Sequence, residues 1–395
     1  MKTTLTIAAV CCLGMLCCQP VGQERGNRRG FTRPEPADTL DAPLQKSIYV
    51  SAVDAADSLR YVCLFRDFEE VLRLPAGPGS EISPDTDLHH ISEGNLYTEY
   101  VSLTETVIKK NGKDFLRYEG REILRGLLAS GEDLYTLGQN RSGEGFALRR
   151  NGNILFSSEV GRVWGDLLDV TTAPTGALYR DGALLTFCYY TTGADGSERK
   201  WNVVQDGSRA EVAVPSGVTE IYDLKMIGGQ LCMVVRKGFT SAPVLLVDDE
   251  EYDLHDAAVQ VGKDFRLARV ENDVAFYGTL YDPRKKEYQT GLWRRDGLEQ
   301  TFSGKNNLIF EEEGYLAGIG FDGEGQVTLS SPWAGRMKLE GVFRYPTCRQ
   351  GCFEDGRFLF AGTPRNSGAS PMVWNDGVTT AMAPGLILTG ISLDY

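Results

Sequence analysis

The chain has 395 residues and only three histidines, His89, His90 and His255. It contains no HExxH, GxSxG or GxxxxGK[S/T] run, so the zincin, serine-hydrolase and P-loop motifs are excluded. A Ser/His/Asp triad would have to recruit one of those three rings, and His89 and His90 read as exposed residues at a strand edge. Basic charge is short as well. Lys and Arg number 41 against 54 Asp and Glu, a net charge of −13, which leaves no basic footprint for nucleic acid. No CxxC pair or Cys/His cluster marks a zinc site, and no cofactor or metal motif is present. Helical periodicity is nearly missing too: no run of ten or more residues between breakers keeps a 3.6 period.

What is present is a hairpin signal that recurs. A hydrophobic strand runs into Asn-Gly or Asp-Gly in TVIKKNG to Gly112, FALRRNG to Gly152, WNVVQDG to Gly207, GLWRRDG to Gly297 and PMVWNDG to Gly377. Asn or Asp followed by Gly supplies the two positive φ angles of a type I′ turn. Weaker copies sit where a turn is due, in CLFRDFEEV near Phe68, VLLVDDEEY near Asp249 and MKLEGVF near Gly341. A second marker runs out of phase with the first. Gly94, Gly131, Gly182, Gly229, Gly325 and Gly356 each precede a strand, and Asn272-Asp273 take that place before VAFYG.

Each copy therefore reads as four antiparallel strands, the blade of a β-propeller. The expected fold is all-β, with about eight four-stranded blades roughly 44 residues apart, or seven as the alternative. A pair of sandwich domains is the rival, but it needs no fixed repeat. The first blade starts at Ser47 without an inner strand, and the C-terminal run GLILTGISLDY is expected to supply it and close the ring.

Residues 1–18, MKTTLTIAAVCCLGMLCC, read as a secretory signal, too short an apolar run to span a bilayer. Ending in Cys17 and Cys18, it resembles a lipoprotein signal, with Cys18 the better acylation site and Cys17 the alternative. Residues 19–45 are rich in Pro, Gly and charge and read as a flexible tether. Residues 46–395 form the repeat domain. Cys63, Cys188 and Cys232 lie inside apolar strands and read as small buried hydrophobes. Cys348 and Cys352 flank a turn where an exported chain permits a disulfide.

Known propeller enzymes leave marks that are missing here. There is no SxDxGxTW Asp box, only Gly228-Gly229 matches the kelch doublet, and the Gly-His and Trp-Asp marks of WD repeats are absent. The acidic runs Asp248–Asp253 and Glu311–Glu313 lack the alternating ligands and Gly pivot of a calcium loop and read as solvated. The segments just before each expected inner strand nominate Arg121, Arg162, Trp164, Glu220, Tyr222, Lys263 and Tyr315 as a ligand-binding set. Aromatics beside charges suit sugar or peptide recognition. The plainer reading is packing for Trp164 and Tyr222 and salt bridges for the rest. Trp201, Trp293 and Trp374, on third strands, read as packing residues.

With its Cys-ending signal and the runs ALRRNG, GLWRRDG and PMVWNDG, the chain resembles lipoproteins of Bacteroidota whose repeats read A-x-Y-W-K-N-G-x. That resemblance implies a Gram-negative envelope and an outer-membrane or surface location; its motif is structural and carries no catalytic residues across. The expected function is a non-enzymatic, envelope-anchored binding or scaffold protein that uses a propeller face for a glycan, peptide or protein partner. The competing expectation is a polysaccharide hydrolase or lyase with paired carboxylates in the channel.

Overall fold

The computed structural model describes residues 46–394, except 55–59, 78, 83–88, 166–176, 194–197, 239–242, 254–259, 262–264, 271–272, 283–285, 304, 313–314, 322–325, 332–334, 344–350, 355–356, 365–369 and 376–377. The expected signal and tether, His255, Lys263 and Cys348 lie outside the described residues.

The described residues are strands and turns, with no helix. They form eight successive four-strand units. Unit 1 takes the C-terminal strand Leu386–Asp394 as its first, followed by Ser47–Asp54, Arg60–Arg66 and Glu69–Ala76. Unit 2 is His89–Ser92, Asn95–Val101, Glu105–Lys110 and Lys113–Glu119. Unit 3 is Glu122–Ser130, Asp133–Asn140, Phe146–Arg150 and Asn153–Ser158. Unit 4 has a divided first strand, Arg162–Trp164 and Tyr179–Asp181, both paired with Leu184–Thr192, then Arg199–Gln205 and Ser208–Val212. Unit 5 is Val218–Ile227, Gln230–Lys237, Pro243–Val247 and Glu250–Asp253. Unit 6 also divides its first strand, Gln260–Val261 and Arg266–Val270, before Asp273–Asp282, Glu287–Arg294 and Gly297–Ser303. Unit 7 is Lys305–Glu312, Tyr315–Phe321, Gln326–Ser331 and Gly335–Phe343, and unit 8 is Gly351–Glu354, Arg357–Pro364, Met372–Asn375 and Val378–Ala381.

The pairs Val342↔Pro364 and Phe343↔Thr363 join units 7 and 8 into one eight-stranded sheet. By hydrogen bonding the propeller ring thus has seven sheets, the lower of the two counts expected. The sequence period registers eight because it counts meanders, and two of these are fused.

The ring closes as expected. Ser47–Asp54 pairs antiparallel with Leu386–Asp394 along its whole length, and a buried hydrogen bond, 2.7 Å, links the Ser51 and Thr389 hydroxyls. The core lies in the seams between neighbouring units. Val50, Ala52 and Leu388 of unit 1 pack on Leu359, Ala361 and Val373 of unit 8. Tyr97 and Ile108 of unit 2 meet Leu124, Leu127 and Leu134 of unit 3. Phe265, Phe276 and Trp293 of unit 6 meet Cys232, Val234 and Leu245 of unit 5. Each fully buried Val, Leu, Ile or Phe among them contributes about 1.5–3 kcal/mol. Trp201, Trp293 and Trp374 are buried packing residues, and Cys63, Cys188 and Cys232 are buried free thiols. Burial pushes all three thiols up to about 12.

The two sequence markers turn out to be bonded to each other. Asn111, Asn151, Asp206 and Asp248 all have φ near 50°. Their side-chain Oδ1 accepts the backbone N–H of Leu96, Leu134, Leu185 and Leu231, at 2.8 to 2.9 Å. Those leucines lie just past Gly94, Gly131, Gly182 and Gly229, and their carbonyls accept the Asn or Asp backbone N–H in return. Asp67 does the same for Ile48. The glycine that follows has its own reason: at Gly112, φ 80°, a Cβ would come within 2.5 Å of the Leu74 side chain of the preceding unit.

Four expectations are corrected. In GLWRRDG the turn residues are Arg295 and Asp296, between the pair Arg294↔Gly297, so the glycine falls one place later. MKLEGVF is no hairpin: it lies in Gly335–Phe343, where the register jumps from Thr328↔Lys338 to Gln326↔Phe343, and Gly341 sits in that bulge. Tyr315 opens the second strand of unit 7, not the inner one, because Lys305–Glu312 precedes and pairs with it. His89 and His90 are buried, at 5% and 4% exposure. They sit in the first strand of unit 2, covered on both faces, so their burial comes from neighbouring units and not from local pattern.

Candidate functional site

Antiparallel meanders put the first-to-second and third-to-fourth turns of every unit on one face of the ring. The other face carries the second-to-third connections and the entries into each first strand. Five of the seven nominated positions are described at the side-chain level, and all five belong to that second, loop face between units 3 and 5.

Arg162 and Trp164 occupy the short strand that opens unit 4. Its register sets Arg162 opposite Tyr190 and Trp164 opposite Cys188, and Tyr190 in turn lies opposite Trp201. The three aromatic rings gather: Trp164 to Trp201 at 5.0 Å and nearly perpendicular, Tyr190 to Trp201 at 5.0 Å, Trp164 to Tyr190 at 6.4 Å. Trp201 is buried, while Trp164 and Tyr190 are half-buried. The exposed Arg199 guanidinium stacks over Tyr190 at 4.7 Å. Such edge-on ring contacts and cation–π stacking hold the cluster rigid.

The indole N–H of Trp164 donates to Asp223 Oδ1 at 3.2 Å, which joins unit 4 to the first strand of unit 5. Asp223 is fully engaged. It also accepts the N–H of Leu224 and, across the next seam, that of Leu267 at 2.8 Å, and its Oδ2 lies 2.9 Å from Lys225 Nζ. Glu220 forms an ion pair with Arg236 at 2.8 Å. Tyr222 packs on Phe265 at 5.1 Å, and burial, with Glu220 beside it, raises its phenol. Arg121 leads into unit 3, where its carbonyl accepts the N–H of Arg141 at 2.9 Å.

The inward carboxylates of this sector staple the fold, Glu99 and Asp181 between units and Glu122 within unit 3. Glu99 Oε1 accepts the Leu124 N–H at 3.0 Å. Asp181 accepts the N–H groups of Gly228 and Gly229 at 2.6 and 2.7 Å. Glu122 takes both arms of the Arg149 guanidinium, at 2.6 and 2.8 Å, with Arg149 stacked on Tyr118. A carboxylate whose oxygens are held by backbone donors or a bidentate arginine is committed to holding the fold. Of the acidic run near Asp249, Asp248 caps its hairpin and Glu251 pairs with Lys237.

Arg162, Trp164, Glu220 and Tyr222 thus come from two adjoining first strands, and the seam between them is bridged by Trp164 and Asp223. Arg121 belongs one unit earlier. Tyr315 lies on the second strand of unit 7, and Lys263 is outside the described residues. Tyr190, Arg199 and Arg141 had no marker in the sequence. Tyr190 becomes visible once the CYYTT strand is registered against Arg162 and Trp201.

No family model matches the chain, and no curated protein matches it. Among solved structures it is similar to a eukaryotic initiation factor, at 10% identity and TM-score 0.45 over 88% of this chain and 98% of that one. It is similar to a puromycin-hydrolysing peptidase of Mycobacterium tuberculosis, at 12% identity and TM-score 0.43 over 78% of this chain and 56% of that one. It is also similar to a functionally unknown protein from Desulfotomaculum acetoxidans, at 10% identity and TM-score 0.39 over 88% and 99%. None of these likenesses carries an argument about what this chain binds.

Proposed function

We propose that this ring is a non-catalytic binding or scaffold protein of the cell envelope, tethered by residues 19–45 to a lipid on Cys18, with a loop-face site for a glycan, peptide or protein partner. One observation carries the reading: Trp164 and Tyr190 are left half-exposed at the seam of units 4 and 5, held rigid by Trp201, Asp223 and Arg199. Rigid aromatic faces beside charged groups bind sugars and peptide side chains with little entropy lost on ordering. The staple role of Glu99, Glu122, Asp181 and Asp223 supports binding over hydrolysis, because a glycosidase needs two free carboxylates across a cleft.

The test is a glycan array together with a pull-down from envelope extract, using the full chain. Binding should be lost in Trp164→Ala and weakened in Arg199→Ala, with melting of the second variant unchanged. Undiminished binding in both variants would remove the seam as the site. Fatty-acid labelling that disappears in Cys18→Ser and persists in Cys17→Ser tests the anchor.

A further inference from the structure

The backbone carries three arginines to the junction of units 3 and 4, beside this seam. Residues 121 and 141 are side by side through the 2.9 Å bond from the Arg141 N–H to the Arg121 carbonyl. Two residues on, Gly143 lies under the Arg162 guanidinium, whose Nη2 would be 3.6 Å from a Cβ at that glycine. The backbone that carries them is pinned. Gly143 N–H donates to the Asn140 carbonyl, and Gly145 N–H donates to the Gly161 carbonyl at 3.1 Å. The Gln139 amide donates to the carbonyls of Gly145 and Gly161 and accepts the Val163 N–H. Units 3 and 4 are therefore locked together under the three side chains.

Arg121 Nε is buried and has no acceptor among the described residues. An enclosed guanidinium N–H without a partner is costly, and a ligand oxygen would satisfy it. The chain is not short of acids to supply one, with a net charge of −13. The nearest buried carboxylates, Glu99 and Glu122, already hold Leu124 N–H and Arg149. Glu144, in the same loop, is exposed and forms no ion pair among the described residues. Arg162 is two residues from Trp164 on one strand and opposite Tyr190 in register, so the aromatic faces adjoin the cationic cluster.

We infer that Arg121, Arg141 and Arg162 form an anion subsite, and that the ligand is a carboxylate-bearing sugar, a uronate-containing glycan. The inference rests on the binding reading above and names its ligand class. Planar guanidinium groups match the two oxygens of a carboxylate, and the half-exposed rings of Trp164 and Tyr190 offer an apolar face to the sugar ring.

The test is calorimetric titration of the full chain with three probes: oligogalacturonate, its carboxyl-reduced neutral form, and an oligoglutamate of equal charge. The uronate should bind about tenfold or more tighter than the reduced form, since a charge-assisted hydrogen bond is worth that much, and should weaken as salt rises. Arg121→Gln and Arg162→Gln should each lose about tenfold in affinity. Arg141→Gln, at an exposed position, gives the same readout with little effect on folding. Equal affinity for the reduced oligomer, lost in Trp164→Ala, would overturn the anion subsite and leave the loop-face reading standing. Oligoglutamate bound as tightly as the uronate would overturn the sugar assignment. Failure of all three probes overturns the inference, and the glycan array then decides the broader reading separately.

Discussion

On one face of the ring, units 2 to 5 each make two turns, and the two are bonded to one another through Asn111, Asn151, Asp206 and Asp248. On the opposite face units 2 and 3 connect their second and third strands through 102–104 and 141–145, and in the sequence these and the matching stretches of units 4 and 5 share no residue pattern. A turn whose side chain holds the start of the neighbouring strand cannot change without loosening both, so the hairpin face repeats. A loop that bonds mainly to itself and to the next unit's entry is free to differ, and that freedom is what a binding surface needs. The outer rim follows the repeating face. In units 1, 2, 3 and 6 the outer strand carries a bulge that leaves Val71, Phe115, Leu155 and Glu299 unpaired. Three of these are exposed apolar side chains, at 53%, 41% and 48%. Bulges that twist an outer edge discourage pairing with another chain, which accounts for apolar residues being tolerated there.

The strongest way to break this contrast is to open the ring. Removing residues 386–395 takes away the first strand of unit 1, which bares the edge of Ser47–Asp54 and the packing seam against unit 8. Both faces should fail together, with the melting temperature falling by well over about 10 °C or folding lost. Unchanged circular-dichroism melting would mean that the units do not depend on closure. Next in size is the buried ion pair inside unit 3, where it packs on Tyr118 of unit 2. Arg149→Met leaves Glu122 buried without its partner and should cost about 3–5 kcal/mol in urea unfolding. Glu122→Met with Arg149→Met should recover much of that loss, because two well-packed apolar chains replace a desolvated pair. A double variant as unstable as the single would assign the cost to packing on Tyr118 and not to the stranded charge.

These magnitudes also explain what was readable from the chain alone. The hairpins were legible because Asn-Gly and Asp-Gly act within a few residues, and the closure strand was legible because unit 1 lacked a member. The Glu122–Arg149 pair was not, since its partners lie 27 positions apart and meet only once strand faces are assigned. His89 and His90 read as edge residues because their cover comes from other units. Unit 7 misled in another way: the run QVTLSS is the third strand, not the second, and Gly341 falls in a bulge. A glycine in the sequence does not by itself say whether the chain turns back. At the candidate site, Arg162 and Trp164 were reached through their position ahead of an inner strand. Tyr190, Arg199 and Arg141 came only from cross-strand register and loop bonding.

A direct comparison of the faces needs matched substitutions. Asn151→Ala removes the Oδ1 acceptor of the Leu134 N–H and the Nδ2 donor to Asp133, and it forces alanine to φ 49°. About 2 kcal/mol should be lost. On the loop face, Arg199→Ala removes only a surface stack on Tyr190 and should stay within about 0.5–1 kcal/mol. Urea midpoints for the two variants measured side by side give the ratio. Equal losses would erase the distinction between a repeating scaffold face and a variable binding face.

The smallest effect is electrostatic and belongs to the hairpin side of the rim. Hydrogen bonds from Lys109 and Arg117 hold the Asp114 carboxyl below its ordinary 3.8. Arg150 and Asn151 do the same for Asp133. A carboxyl depressed in the folded state adds stability that is fully present above its unfolded value and disappears as pH falls through the lower folded value. Stability should therefore decline below about pH 4. Both carboxylates reach solvent, so water and salt screen much of the gain. In Asp114→Asn with Asp133→Asn, the urea midpoint plotted against pH should flatten below about pH 4 at low salt. A variant curve that runs parallel to the parent's would show that these two turn carboxylates do not carry the acid response, and that the repeated hairpins add nothing electrostatic to the scaffold face.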